Sequence, residues 1–235
     1  MISSTRGASE LLAPPLHGNQ GDREPAVQRK APLGLTVAIS REAGARGSSI
    51  ARRVGKKLGW QVCTQDLLEF LSSNESARSH VLADVPDDAA DWTNAQLERI
   101  KKDKILNPGV ELGELPRLIL TLAARGGVIL VGRGAGFLLP RETTLHLRVV
   151  APLNDRIAYM AQTLRRTREE AAVYVRENDE QRADYLVKTF THRAGDLSDY
   201  DLLLNSFLLG EETCVDVILS AVHGKQRALF PDEED

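Results

Sequence analysis

The sequence predicts an α/β domain in which helices cover both faces of a central parallel sheet, a three-layer arrangement. Two observations carry that prediction. Short, nearly continuous apolar runs such as Val128–Val131 alternate with longer helical patterns. Strands that read this way are buried on both faces, as parallel strands are. The first apolar run, Thr36-Val37-Ala38-Ile39, empties into a glycine-bearing turn that opens onto a helical pattern. A length of 235 residues suits one such domain with some excess, and no internal repeat is visible.

Residues 1–33 are poor in large apolar side chains and carry Pro14, Pro15, Pro25 and Pro32, which predicts a disordered extension. Glu10, Asp22 and Glu24 count against a basic transit peptide. After the first strand, Ile50, Ala51, Val54 and Leu58 form one face of a helix that stops at Gly59. Trp60–Cys63 reads as a short strand and Asp66–Leu71 as a helix. Residues 72–108 are polar and irregular, with a helical piece around Ala95–Ile105. Leu112–Ala124 is helical, closed by Gly126-Gly127, and the strand Val128–Val131 runs into Gly132-Arg133-Gly134. A strand over Leu145–Val150 ends at Ala151-Pro152; helices follow over Asn154–Arg165 and Arg168–Lys188. Asp201–Leu204 is the last strand, Glu211–Val222 the last helix, and residues 225–235 form an acidic tail. The domain therefore spans 34–224.

A net charge of −3 and a pI near 6.0 argue against a general nucleic-acid binder. Cys63 and Cys214 lie far apart in apolar runs, as reduced core thiols would. No apolar run approaches the roughly 18 residues of a membrane span, and no hydrophobic signal core opens the chain, so a cytoplasmic protein is expected. Oligomeric state is left open.

Ligands of parallel sheets bind at the carboxyl ends of the strands. Three features converge there. In Gly44-Ala45-Arg46-Gly47-Ser48-Ser49 the glycines admit close backbone approach, the turn amides and helix N-terminus favour an anion, and the serines suit capping or a metal. The lysine of the strong phosphate-loop signature is absent; Lys56 and Lys57 lie on the order of 10 Å too far along the helix. An ordinary βα turn without a ligand is the alternative. Arg133 emerges at the same edge, where a planar fork suits a phosphate or bonds turn carbonyls. Asp66 either accepts from a ribose hydroxyl or amine, or caps its helix. On the charged segment Arg176–Tyr185, Asp179 and Arg182 have the spacing of a solvated i,i+3 pair, and Arg193 lies beyond.

From about Leu35 to Val222 the chain resembles the cytidylate kinase-like family, a branch of the phosphate-loop nucleoside monophosphate kinases. The carriers are Ile39–Gly47, Val131–Gly134, Leu145-His146 through Leu153, Asp179–Tyr185 and Tyr200–Asn205. The resemblance implies a helical lid over 168–193, ATP on Gly44–Ser49, and a nucleoside monophosphate gripped at Arg133; Arg41 and Asp66 are further candidates on the acceptor side. It further implies that Arg176 and Arg182 close over the transferring phosphoryl group and that Ser49 helps to hold Mg²⁺. Gly47 stands where the family carries its phosphate-binding lysine, and Gly134 where many members carry an aspartate. Arg41 and Arg46 flank the loop as candidates to supply the lost charge. Phosphotransfer from ATP to (d)CMP is the expected function; a nucleotide-binding module without transfer and a kinase of another small acceptor are the rivals.

Overall fold

The computed structural model describes residues 31–83, 85, 88–191 and 196–231. The expected extension up to residue 30, Arg193 of the lid and the acidic end 232–235 lie outside them. Five parallel strands form one sheet in the order β2-β3-β1-β4-β5, with β1 Thr36–Arg41, β2 Gln61–Cys63, β3 Val128–Val131, β4 Thr144–Val150 and β5 Leu202–Asn205. In β1 the side chains alternate between faces. Val37 and Ile39 pack with Ile50, Ala51 and Val54 of α1 (Gly47–Leu58) and with Cys214, Val215, Ile218 and Val222 of α9 (Ser206–Leu229). Ala38 turns to the other layer, where Leu67, Leu68 and Leu71 of α2 (Gln65–Ser73) meet Leu118, Ile119 and Leu122 of α5 (Glu114–Arg125). This is the three-layer α/β arrangement, and its reason is the sequence alternation itself. Cys63 and Cys214 are free and buried, one in each layer.

The polar insert is more ordered than its composition announces. It folds as α3 Glu75–Val81 and α4 Ala89–Lys102, with Leu97 and Ile100 buried in the same layer as α5. Asn74, whose side chain accepts from Ala77 N–H, starts α3. The short helix α6, Ala135–Leu138, follows β3. The last helix begins five residues before the expected Glu211 and runs to Leu229, with its break at Gly210; residues 225–229 are therefore helix rather than tail. At the other end, Leu33 N–H already donates to Ala124 C=O at 3.0 Å.

The antiparallel pair α7 (Leu153–Leu164) and α8 (Arg168–Thr189) stands apart from both layers. A capping box of Thr167 and Glu170 starts α8. Ile157, Met160, Ala171 and Val175 form a small core of their own, joined by Ala43 from the loop after β1. The pair is thereby anchored to the loop it was expected to cover.

His146 on β4 fixes this end of the sheet. Its Nδ1 donates to Asp199 C=O at 2.9 Å, since a carbonyl can only accept, and Nε2 accepts from the Ser40 hydroxyl at 3.3 Å. Burial pushes the imidazole pKa down from 6.5 to about 4, against the opposing pull of the Asp199 carbonyl and the Asp201 charge. Between those values the unfolded chain binds more protons than the folded one, so stability falls as pH drops from about 6.5 towards 4. Denaturant midpoints measured across that range should decline, and His146→Gln should flatten the decline; an equal slope in the variant would remove His146 as its cause.

Candidate active site

The first connection leaves β1 towards β2 and β3, whereas β4 and β5 lie on its other side. A crevice opens at the carboxyl end of β1 as a result. A cavity of about 410 Å³ lies there, between the strand ends and α8. Arg41, Arg133, Arg148 and Arg182 line it, with Ser40, Gln65, Tyr185 and Tyr200 among the polar groups. Four guanidinium groups on one cavity describe a site for a strongly anionic ligand.

Arg133 adopts φ 53° between Gly132 and Gly134, which turns its side chain from the strand end into the cavity. It pairs with Glu69 and lies over the Tyr185 ring, 4.8 Å from the centroid. Its protein partner is thus a carboxylate brought by α2. Its Nε is buried without a partner among the described residues, as are Arg41 Nε and Arg182 Nη1. Burial, with the neighbouring Arg182 charge, lowers the Arg41 pKa from 12.5 to about 10, and burial also lowers that of Arg182. Unpartnered buried donors on several cations mark a place where an anion belongs.

None of the predicted loop residues Gly44–Ser49 is among the cavity's lining residues, and neither are Arg176 and Asp66. Arg176 is exposed on α8, because its side of the helix faces solvent while Asn178 and Asp179 face the cavity. Asp66 is exposed as well; Thr64, not Asp66, caps α2 by accepting from Leu67 N–H, and it is Gln65 that lines the cavity. Asp66 stays close enough to act on Arg41 and Arg182 through its charge.

The loop itself has the backbone that an anion cradle needs. Gly44 has φ 78°, and a side chain there would collide with Arg156 C=O, so this position requires glycine. Arg46 takes a left-handed φ of 60° as the N-cap of α1, and no side chain caps that helix. The α1 amides of Gly47 and Ser48 lie at this uncapped end. Buried Ala45 accepts from the Ser206 hydroxyl at 2.8 Å. The Arg46 guanidinium turns away from the cavity, over the Tyr159 ring at 4.7 Å and towards Glu211 at 3.5 Å. The Ser49 hydroxyl donates to Glu211 at 2.7 Å.

The sequence missed Arg156 altogether. Its Nη1 donates to Asp179 Oδ2 at 2.5 Å and to Ala43 C=O at 3.0 Å, and its Nε donates to Ala151 C=O at 2.9 Å. Asp179 Oδ1 accepts from Ala43 N–H at 2.7 Å. Glu42 lies 3.3 Å from Arg156 Nε and accepts from Ala151 N–H. Asp179 is thus a tie between α8 and the loop, not the solvated partner of Arg182 that its spacing predicts. The only sequence signal was a lone arginine on the inner face of α7. Arg148 was likewise hidden inside an apolar strand.

Both glycines that stand where a charged side chain was expected have local causes. Gly134 has φ 65° and its Cα faces the Phe190 ring, so an aspartate does not fit. Gly47 lies under the Arg41 side chain: a Cβ there would stand 2.7 Å from Arg41 Cβ.

With this geometry in view, the relationships are specific. The cytidylate kinase-like family model matches residues 36–207, and the chain belongs to that family. A cytidylate kinase of Ignicoccus hospitalis is 23% identical over 182 residues, which covers 77% of this chain and 95% of the relative. A crystal structure of an uncharacterized protein from Eubacterium ventriosum superposes with a TM-score of 0.57 at 17% identity, covering 81% of this chain and 98% of that one. Among the described residues no helix is long and apolar enough to cross a membrane.

Proposed function

We propose that this protein transfers the terminal phosphoryl group of ATP to a nucleoside monophosphate, with CMP or dCMP as the acceptor. The observation that carries this reading is the four-arginine cavity between the strand ends and α8, beside an uncapped helix N-terminus. Family membership points the same way. An acceptor phosphate oxygen forms a bond to the terminal phosphorus while the bond to the bridging oxygen breaks, and ADP leaves with that electron pair. Such transfer rests on positioning and charge neutralisation. The loop amides hold the donor phosphates, Arg133 orients the acceptor phosphate, and Arg182 supplies positive charge from α8.

Among the described residues no group of three acidic, histidine or cysteine side chains is placed to hold a metal. Mg²⁺ does not require such a cluster, since one or two protein oxygen ligands hold it together with substrate phosphates and water. The Ser49 hydroxyl, with the Glu211 carboxylate beside it, offers the hard oxygen donors that fit this ion. Bound Mg²⁺ would neutralise phosphate charge. Ser49→Ala is expected to shift the Mg²⁺ dependence of ATP binding to higher concentration with little loss of fold; unchanged dependence would remove Ser49 from the metal's ligands.

Calorimetric titration with Mg·ATP and CMP, followed by a coupled assay of ADP release, tests the reading. Binding with CMP-dependent ADP release is the expected result. Binding without turnover would favour a second reading, a nucleotide-binding module without transfer, which the glycine at position 47 supports. Turnover with a different acceptor would keep the kinase and change its substrate.

A further inference from the structure

We propose that the Arg41 guanidinium takes the place of the absent loop lysine and clamps the phosphate chain between donor and acceptor. The inference rests on the phosphotransfer reading for the identity of its ligand. Its geometry is independent of that reading.

Position 47 and the Arg41 side chain compete for one space. A Cβ built on Gly47 would stand 2.7 Å from Arg41 Cβ and 3.1 Å from Arg41 Cγ. The aliphatic stem of Arg41 therefore fills the volume that a side chain at position 47 would enter. Glycine at 47 leaves room for the Cβ and Cγ of residue 41, and here that residue is an arginine. The head group continues across the mouth of the site, lies against Gly132, and donates through Nη2 to Gln65 Oε1 at 3.3 Å. One side chain thus spans from the N-terminus of α1, where the loop would hold donor phosphates, to the glycine beside Arg133.

The charge balance indicates a ligand. Among the described residues no carboxylate lies within 4.0 Å of Arg41, and its Nε is buried without a partner. Of the carboxylates nearby, Glu69 pairs with Arg133 and Asp179 and Glu42 with Arg156, while exposed Asp66 acts on Arg41 through its charge without an ion pair. Arg182, on the opposite wall, also has a buried Nη1 without a partner. Burial and the neighbouring arginines draw the Arg41 pKa down to about 10, as expected for a cation whose counterion is not part of the protein. Arg46, the other cation flanking the loop, is held by Tyr159 and Glu211. A guanidinium also offers two parallel donors, so it can bind oxygens of two phosphates at once where an ammonium acts as a point charge.

Arg41→Met keeps a stem over Gly47 and removes the charge. Two measurements on the full chain separate the possibilities: calorimetric titration with inorganic tripolyphosphate, and initial rates of ADP formation from ATP and CMP. Arg41→Met should melt within a few degrees of the parent, bind tripolyphosphate at least about 10-fold more weakly, and lose about 100-fold or more in kcat. Arg41→Lys should recover part of both. The exchange variant Arg41→Gly/Gly47→Lys, which removes the Cβ that a side chain at 47 would meet, should regain rate that Arg41→Gly alone loses. Tripolyphosphate bound equally by parent and Arg41→Met, or by neither, would overturn the clamp, as would an unchanged kcat. Arg41-dependent tripolyphosphate binding with no ADP formed from any acceptor would instead sink the phosphotransfer reading and leave the anion clamp standing.

Discussion

Asp179→Ala should melt roughly 5–10 °C below the parent protein. The Arg156 guanidinium is almost wholly buried and holds Asp179, Ala43 C=O and Ala151 C=O together at the mouth of the loop. Removing one partner of a buried pair costs about 3–5 kcal/mol, because the remaining charge is left without compensation. Here the lower end applies: Glu42 stays 3.3 Å from Arg156, and Asp179 itself is partly exposed. A loss of about 3 kcal/mol corresponds to the stated shift at a few degrees per kcal/mol in a chain of this size. Asp179→Asn keeps an acceptor for Ala43 N–H and should fall between the two. Hydrogen exchange adds a local readout, since Ala43 N–H loses its acceptor only in the alanine variant. Equal melting temperatures for parent and Asp179→Ala would show that α8 is held to the loop by the Ala43, Ile157 and Val175 contacts alone.

Arg133→Ala should weaken acceptor binding about 100-fold or more while leaving ATP affinity nearly intact. Charge-assisted hydrogen bonds contribute about 1.5–3 kcal/mol each, and the fork can offer two of them. The pairing with Glu69 adds a second arm to this test. If an acceptor phosphate displaces that carboxylate, Glu69→Gln should tighten acceptor binding by removing the competitor. Arg133→Lys keeps charge but not the paired geometry, and should be impaired as well. Titration of each variant with CMP and, separately, with Mg·ATP reads the two sites. Loss of both affinities in equal measure, or unfolding of Arg133→Ala, would make Arg133 a structural partner of Glu69 and Tyr185 and move the acceptor elsewhere.

The insert shows one limit of reading this sequence. Its α3 and α4 carry few apolar residues, so their periodicity is weak, and Leu97 and Ile100 become core only because α5 lies beneath them. Leu229 shows another: the acidic end masked a helix that continues by packing along α1 and β4.

What the sequence determined by itself is the layered architecture and the edge of the sheet at which the candidate residues gather. Alternation of Val37, Ala38 and Ile39 assigns each side chain to a layer, and apolar strands closed by glycine turns put Gly44–Ser49 and Arg133 at one edge. These are local signals, carried by periodicity and backbone freedom. Which charged residues face the cavity was decided by the tertiary structure alone. Asp179 spacing fits Arg182, yet Arg156, 23 residues earlier, takes it, because α7 and α8 pack antiparallel. Arg176 has the right composition and the wrong helical phase. Gly47 reads as a defect until Arg41 is found lying across it. Pairing of charges depends on distances between elements far apart in the chain, and no local pattern encodes those distances.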